Sequence, residues 1–261
     1  MAARLALPAR SDAVRIVPLY VPDELGVVGS TAPTSPAAHL TYHNGHVLEA
    51  VEVFTIFWGK AWTAAPRKTL ASQINAFFDG ILVSPLIDQL GEYSVTGHKI
   101  GHGKRVGTTT VTSPSPSHSI SDGAIQHFLQ GQIGSNAAVP KPTPNTLFFI
   151  YLPPGISVAQ GGARSCQAFC GYHNDIAGQF YYAVMPYPGC SGCTGGLSLL
   201  DALTSTSSHE LCEAITDPVP GGGWYDDPGN AEIGDLCAWK TKSVGGSTVQ
   251  LEWSNKAGSC V

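Results

Sequence analysis

The chain has 261 residues, of which 43% are hydrophobic, and this length and composition suffice to bury one large core. Its formal net charge of −5 argues against nucleic acid as a partner, because phosphate binding needs clustered Lys and Arg. No window approaches the roughly 20 consecutive apolar residues that span a bilayer. Thirty glycines and 19 prolines indicate a loop-rich protein.

The first half of the sequence predicts strands and helices in alternation. Residues 14–21 and 51–59 have the apolar, β-branched composition of strands, and the second run suits a central strand. Pro66 suits the first turn of a helix in which five apolar residues recur at helical spacing: Leu70, Ile74, Phe77, Phe78 and Ile81. A short helix is expected in SPLIDQLGEY, and an amphipathic helix capped by Ser121 or Asp122 in ISDGAIQHFLQGQIG.

The second half of the sequence ends in one long helix followed by a strand. Residues 145–153 and 178–187 predict two strands, with a cysteine-rich loop, SCQAFCGYHND, between them. A helix is expected from Leu197 until Pro218 stops it, and a last strand in STVQLEWSN. This order predicts an α+β fold with a mixed sheet, covering helices and a late helix that carries polar residues.

The predicted long helix contains the segment SSHELCEAITDP. Within it, His209 and Glu213 are four positions apart and therefore project from one face of the helix. Glu210 is rotated by about 100° from His209. It can reach a water bound to an ion that the other two residues hold, as in the H-E-x-x-H motif. Downstream, the segment AEIGDLC offers Glu232 or Asp235 as a third ligand.

The same segment also has an interpretation without an ion. Ser207 or Ser208 would cap a helix start. Glu210 would then interact favourably with the positive end of the helix dipole in the first turn, and His209 would be a half-buried polar residue. We favour the metal site because two acids return downstream in a chain that has only 19 Asp and Glu residues.

The motif resembles the active-site helix of the gluzincins, the thermolysin-like metalloproteases, in which a second His stands where this chain has Glu213. The resemblance covers residues 207–235. It implies a single zincin-like domain over residues 1–261, with 1–45 as an N-terminal strand and loop extension and 46–261 as the core. Carried over by position, it implies a first ligand in His209, a general base in Glu210, a third ligand in Glu232 and supporting carboxylates in Asp217 and Asp235.

A wider resemblance extends over most of the chain. The segments YHNGHVLEAVEVFTIFWGKAW, FCGYHND, SHELCEAITDP, GWYDD and EIGDLC are similar to motifs of the phosphate-induced protein 1 family, the Exordium-like proteins of plants and their microbial relatives. The helix in that family commonly reads A-H-E-L-A-E, which implies that Glu213 is a family feature. Members are mostly secreted or cell-wall associated, so the resemblance implies a secreted or cell-surface protein. The first residues, MAARLALPAR, nevertheless lack the apolar run of a signal peptide.

These motifs predict a metal site formed by His209, Glu213 and Glu232, with Zn2+ as the expected ion and Mn2+, Fe2+ or Ca2+ as alternatives. Glu213 adds a negative charge to the site, which raises the pKa of a bound water. The predicted function is a zinc-dependent, metallopeptidase-like hydrolase of a protein or peptide substrate, in which Glu210 activates water. The alternative is a non-catalytic secreted or cell-wall-associated binding or structural protein with a stabilising metal site.

Two further polar residues are candidates for catalysis. His173, in CGYHND, is a candidate ligand or transition-state donor, and its alternative role is packing beside the cysteines. Tyr225, in GGGWYDD, is a candidate oxyanion donor, and its alternative role is an aromatic plug over the core.

The seven cysteines permit two interpretations. The first is three disulfides, Cys166–Cys170, Cys190–Cys193 and Cys237–Cys260, which leave Cys212 free. The second is a structural zinc ion held by the first four of these cysteines. The low charge and the high Gly and Pro content favour disulfides, because they are typical of secreted proteins.

Overall fold

The computed structural model describes residues 16–20 and 38–261, so the rest of the predicted N-terminal strand and loop lies outside the described residues. The helices are α1 (Arg67–Ile81), α2 (Pro85–Leu90), α3 (Asp122–Ser135), α4 (Ser191–Thr194) and α5 (Leu199–Thr216). The strands of the central sheet are β1 (Ile16–Pro18), β3 (Glu52–Trp58), β4 (Lys104–Val111), β6 (Thr146–Tyr151), β9 (Phe169–Ile176) and β10 (Phe180–Met185). The others are β2 (Thr41–Tyr42), β5 (Ser119–Ser121), β7 (Ser157–Gln160), β8 (Ala163–Arg164), β11 (Trp224–Tyr225), β12 (Thr241–Val244), β13 (Ser247–Gln250), β14 (Trp253–Ser254) and β15 (Ser259–Cys260).

A six-stranded mixed sheet forms the centre of the molecule, in the order β1-β9-β10-β6-β3-β4. Strands β10, β6, β3 and β4 run parallel to one another, whereas β9 is antiparallel to both β10 and β1. The α+β fold with a mixed sheet is therefore confirmed. The apolar run 51–59 forms an interior strand of this sheet, as predicted.

Helices cover the central sheet on both faces, which explains why its inner strands β3, β6 and β10 are mostly apolar. On one face, alternate residues of β3 and β6 pack in a core with α1, α2 and α5. On the other face, the intervening residues of the same strands pack against α3. The five apolar residues predicted to face inward from α1 are all buried. Ser121 caps α3 by accepting a hydrogen bond from the Ala124 backbone, as one of the two predicted caps.

Helix α5 is the most deeply buried helix of the fold. Every residue from Ala202 to Thr216 is buried, including its Ser, Thr, His and Glu side chains. Ser198 caps its N-terminus by accepting a hydrogen bond from the Asp201 backbone, and the helix ends at Thr216, two residues before Pro218. A polar helix buried in this way needs polar partners inside the protein.

The prediction of a cysteine-rich loop in SCQAFCGYHND is wrong for the residues from Phe169 onward. Residues Phe169–Ile176 form β9, which lies inside the central sheet between β1 and β10. The sequence of β9, FCGYHNDI, lacks the alternation of apolar and polar residues that marks a half-buried strand. The reason is that β9 is covered on both faces and carries polar residues in the protein interior. His173 consequently lies in the protein interior, paired in register with Ala183 of β10.

The predicted last strand is divided into two. Strand β13 pairs with β12, and β14 pairs with β15. Between them, the Leu251 backbone N–H donates to Lys240 O, and the Glu252 N–H donates to Val261 O. This break places the Glu252 side chain in the interior, where it is fully buried.

Three disulfides are present, but two of the predicted pairings are wrong. Cys237 pairs with Cys260 as predicted, whereas the other four cysteines pair as Cys166–Cys190 and Cys170–Cys193. The reason is that β9 and the turn before it lie beside α4 and its N-cap residue, which brings the paired cysteine Cα atoms to 5.9 and 5.3 Å. These four sulfur atoms are therefore engaged in covalent bonds and not in the alternative zinc site. In the described part of the chain Cys212 is the free cysteine, and it is buried in α5.

Within residues 16–20 and 38–261, no individual helix has both the length and the apolarity needed to cross a membrane. The bent pair formed by Arg67–Ile81 and Pro85–Tyr93 meets these two criteria only when both helices are taken together.

Candidate metal centre

A buried polar cluster lies between α5, β9 and the segment 232–235. From α5 it receives His209, Glu210 and Glu213, which are all fully buried. The close approach of β9 to α5 depends on Gly171. A Cβ atom there would lie 2.8 Å from Thr206 Cγ2 and 3.3 Å from Glu210 Oε1. Glycine thus allows the strand to bring His173 against the helix.

The first group of possible metal ligands consists of His173, Glu213 and Glu232. One ligand atom from each lies within 4.8 Å of the others. His173 Nδ1 is 3.5 Å from Glu213 Oε2, and His173 Nε2 is 3.8 Å from Glu232 Oε1. All three residues are fully buried, so their charges face one another and not solvent.

The second group consists of His209, Glu213 and Asp235, again with one ligand atom from each within 4.8 Å. His209 Nε2 lies 2.9 Å from Glu213 Oε1 and 3.8 Å from Asp235 Oδ1. The backbone N–H of Glu232 donates to Asp235 Oδ2 at 3.0 Å, which fixes that carboxylate and leaves Oδ1 facing the imidazole.

The structure therefore distributes the predicted ligands over two groups. His209 and Glu213 lie together as their helical spacing predicts. Glu232, predicted as their third ligand, instead belongs to the group of His173, and Asp235 takes the place beside His209. Glu213 is the residue that both groups share.

Several atoms of the cluster lack a hydrogen-bonding partner within the described residues. They are His209 Nδ1 and Nε2, Glu210 Oε1 and Glu213 Oε2. The 2.9 Å contact between His209 and Glu213 does not meet hydrogen-bonding angles. Buried polar atoms are normally paired, because an unpaired one costs about 1–3 kcal/mol. Convergent unpaired nitrogen and oxygen atoms are instead what a metal ion requires of its ligands.

The two imidazoles have an unusual electrostatic environment. Burial alone would lower the pKa of His173, but the carboxylates of Glu232, Glu210 and Glu213 raise it well above its usual value. Its Nδ1 lies 3.1 Å from Glu210 Oε2, and its Nε2–H donates to the backbone oxygen of Asp217 at 3.1 Å. Burial likewise opposes a raised pKa for His209, and Glu213 reverses this effect.

The carboxylates differ from one another for the same reason. Burial works against ionisation of Glu213, but the adjoining His209 and His173 imidazoles lower its pKa to about 2. Asp235 has a pKa raised to about 7 by burial and by the charge of Glu213. Burial also raises the pKa of Glu210. Glu213 is therefore more readily ionised than Glu210 or Asp235.

Asp217 differs from its predicted role as a carboxylate that supports a ligand. Because α5 ends at Thr216, the Asp217 side chain leaves the line of His209 and Glu213. Its carboxylate accepts backbone hydrogen bonds from three successive glycines, Gly221, Gly222 and Gly223, at 2.6, 3.0 and 2.6 Å. It is the Asp217 backbone oxygen that reaches the cluster, where it accepts a hydrogen bond from His173.

Tyr225 lies in β11, which pairs with β2. Its ring stacks on the imidazole of His43, with centroids 3.8 Å apart and an angle of 14°. The predicted role as an oxyanion donor stays a prediction, whereas an aromatic packing contact is present.

Two buried residues beside the cluster, Glu252 and Gln250, were not predicted from the sequence to belong to it. Glu252 is fully buried, and its charge interacts with His209 and Glu213. Gln250 donates from Nε2 to Gly234 O at 2.8 Å, which supports the segment that carries Asp235. Both residues alternate with apolar ones in STVQLEWSN, a pattern that normally indicates a solvent-facing polar side. No sequence signal distinguishes them from surface residues.

Comparison of the chain with protein-family models, with curated proteins and with solved structures found no match. The two resemblances inferred from its motifs therefore remain predictions.

Proposed function

We propose that the chain binds a divalent metal ion at the cluster of α5 and acts as a metallopeptidase-like hydrolase on protein or peptide substrates. The observation that supports this proposal most strongly is the position of Glu213. Its Oε1 lies 2.9 Å from His209 Nε2, and its Oε2 lies 3.5 Å from His173 Nδ1. Buried imidazole and carboxylate atoms at these separations form a donor set for a cation.

The donor set favours zinc, with manganese or iron as alternatives. Zinc takes imidazole nitrogen and carboxylate oxygen at about 2.0–2.2 Å. Calcium prefers oxygen ligands alone, which makes it a poorer match for a site with two imidazoles. When bound, such an ion supplies Lewis acidity and lowers the pKa of water.

Glu210 is the proposed proton acceptor of the reaction. Its Oε2 lies 3.1 Å from His173 Nδ1, while its Oε1 has no hydrogen-bonding partner among the described residues. Burial raises the pKa of this carboxyl, which is the direction that strengthens a carboxylate as a general base. His173, itself held by the Asp217 carbonyl, orients this carboxylate.

Replacement Glu210→Gln is expected to leave metal content unchanged and to lower peptide hydrolysis at least a hundredfold, because the amide keeps the shape but cannot accept the proton. Metal content is measured by elemental analysis, and hydrolysis with a library of fluorogenic peptides. Glu49→Gln, at a carboxylate that is 43% exposed, is the matched control and should retain both properties. A Glu210→Gln protein with bound metal and full hydrolysis would refute the assigned role.

The compartment and the family are part of the same proposal. The three disulfides indicate an oxidising environment. We propose that the protein is secreted or presented at the cell surface, as the similarity to phosphate-induced protein 1 and Exordium-like proteins implies. Detection of the protein in the culture medium of its own source cells tests this proposal directly.

A second candidate function is a non-catalytic binding or structural protein in which the ion is a stabilising element. The observation that favours it is the complete burial of His173, His209, Glu213 and Glu232. Catalytic metal sites keep a position open for substrate, whereas structural sites are closed by the protein.

Removal of the ion with a chelator is expected to lower the melting temperature by roughly 10 °C. An ion at about a thousand times its Kd adds about 4 kcal/mol to the free energy of unfolding, and each kcal/mol shifts Tm by about 2–4 °C at this chain length. Calorimetry with EDTA, and again after zinc is restored, measures the effect. Confirmed metal loss with an unchanged Tm would contradict both candidate functions. A Tm shift without hydrolysis of any library peptide would select the structural one.

A further inference from the structure

The two ligand groups of the cluster meet at a single carboxylate. The two oxygens of Glu213 face different imidazoles, Oε1 towards His209 and Oε2 towards His173. A carboxylate whose oxygens point to two separate nitrogen ligands has the arrangement of a bridge between two ions. We propose that the cluster is a dinuclear centre in which Glu213 bridges two divalent cations; this inference rests on the metal binding proposed above.

Each side of the bridge has its own group of three candidate ligands, with Glu213 common to both. His173 and Glu232 complete the set on one side, and His209 and Asp235 complete it on the other. Each ion therefore receives one imidazole, one terminal carboxylate and one oxygen of the bridge. A single ion would use only one of these sets and leave the other buried without a cation.

The number of acidic groups in the cluster also favours more than one divalent ion. Five carboxylates lie in or beside it: Glu210, Glu213, Glu232, Asp235 and Glu252. One divalent ion offsets the charge of two ionised carboxylates and two ions offset four, so this acid content fits a two-ion site more closely than a one-ion site.

Atoms without hydrogen-bonding partners among the described residues occur on both sides of the bridge. His209 Nε2 lies on the side of Asp235, and Glu213 Oε2 lies on the side of His173. Hydrogen bonds also prepare the ligands on each side. The His173 Nε2–H donates to the Asp217 carbonyl, and the Glu232 N–H fixes Asp235. Such support of ligands by carbonyl and backbone groups is typical of metal centres.

Ions that share a bridging carboxylate in two-metal sites lie about 3.5–4 Å apart. At this distance two Mn2+ ions are magnetically coupled, and their electron paramagnetic resonance spectrum differs from that of isolated Mn2+. The full-length chain is therefore stripped with a chelator, loaded with manganese chloride or zinc chloride, freed of excess metal and analysed for ions per chain. The coupled spectrum is sought in the manganese-loaded wild type.

We expect two ions per chain in the wild type, together with the coupled Mn2+ spectrum. Asp235→Asn and Glu232→Gln should each retain one ion and lose the coupling, because each removes a terminal ligand from a different side. Asp88→Asn, at a carboxylate that is 65% exposed, is the matched control and should retain two ions.

One ion per chain with an uncoupled Mn2+ spectrum in the wild type would overturn the dinuclear inference and leave the proposed metal binding intact. No ion at all would overturn both. The wild-type measurements need no variant, so a variant that fails to fold does not prevent the decision.

Discussion

The variant Glu213→Gln is expected to bind metal at least a hundredfold more weakly than the wild type, which corresponds to about 2.7 kcal/mol or more of binding free energy. Glu213 belongs to both ligand groups, and its pKa of about 2 keeps it fully ionised at neutral pH. The amide has the same shape but lacks the charge, and it places an NH2 group where an ion would lie. Zinc affinity is measured by titration calorimetry or by competition with a chromogenic chelator.

The control for this experiment is Glu49→Gln, which makes the same chemical change at a partly exposed carboxylate that faces His98. Its zinc affinity should equal that of the wild type. Circular dichroism of both variants verifies that the fold is retained. Wild-type affinity in a folded Glu213→Gln protein would show that the ion binds elsewhere.

The second large effect is expected for Gly234→Ala, which should weaken zinc binding at least tenfold and reduce the free energy of unfolding by about 1–3 kcal/mol. A Cβ atom at 234 would lie 2.8 Å from Cγ and Nδ1 of His209 and 2.9 Å from Cε1. The imidazole is rigid and fully buried, so it cannot move aside without leaving Glu213. The backbone φ of −79° is open to alanine, which assigns the effect to the contact and not to backbone strain.

Gly131→Ala in α3 is the matched control, because a Cβ atom at that position meets no atom within 4 Å. It should leave zinc affinity unchanged and stabilise the helix slightly. Zinc titration and chemical unfolding of both variants make the comparison. Equal affinity and equal stability for Gly234→Ala and the wild type would show that the segment 232–235 does not lie against His209.

The contacts that could be predicted from the sequence are those between residues that are close together in the chain. His209 and Glu213 lie together because one helical turn separates them, and this spacing is visible in the sequence. The burial of α1 could be predicted for the same reason, from five apolar residues at helical spacing. The return of Glu232 and Asp235 to the helix was also inferred correctly in outline, although their division between two groups was not.

The residues that could not be predicted depend on contacts between distant segments. His173 enters the cluster because β9 lies in the middle of the sheet, and its polar sequence resembles a loop. The cysteine pairing depends on the position of α4 beside β9, which no spacing of cysteines reveals. Glu252 is buried because the chain breaks between β13 and β14. The sequence STVQLEWSN does not reveal this break, since its pattern is that of a single strand.

Anomalous diffraction at the zinc absorption edge, from crystals of the full-length protein grown with zinc, tests metal binding at Glu213 most directly. We expect an anomalous peak about 2.0–2.2 Å from an oxygen of Glu213 and from an imidazole nitrogen of His209 or His173. A map with no peak among these residues, from crystals in which zinc is present and the three side chains are ordered, would contradict metal binding at Glu213.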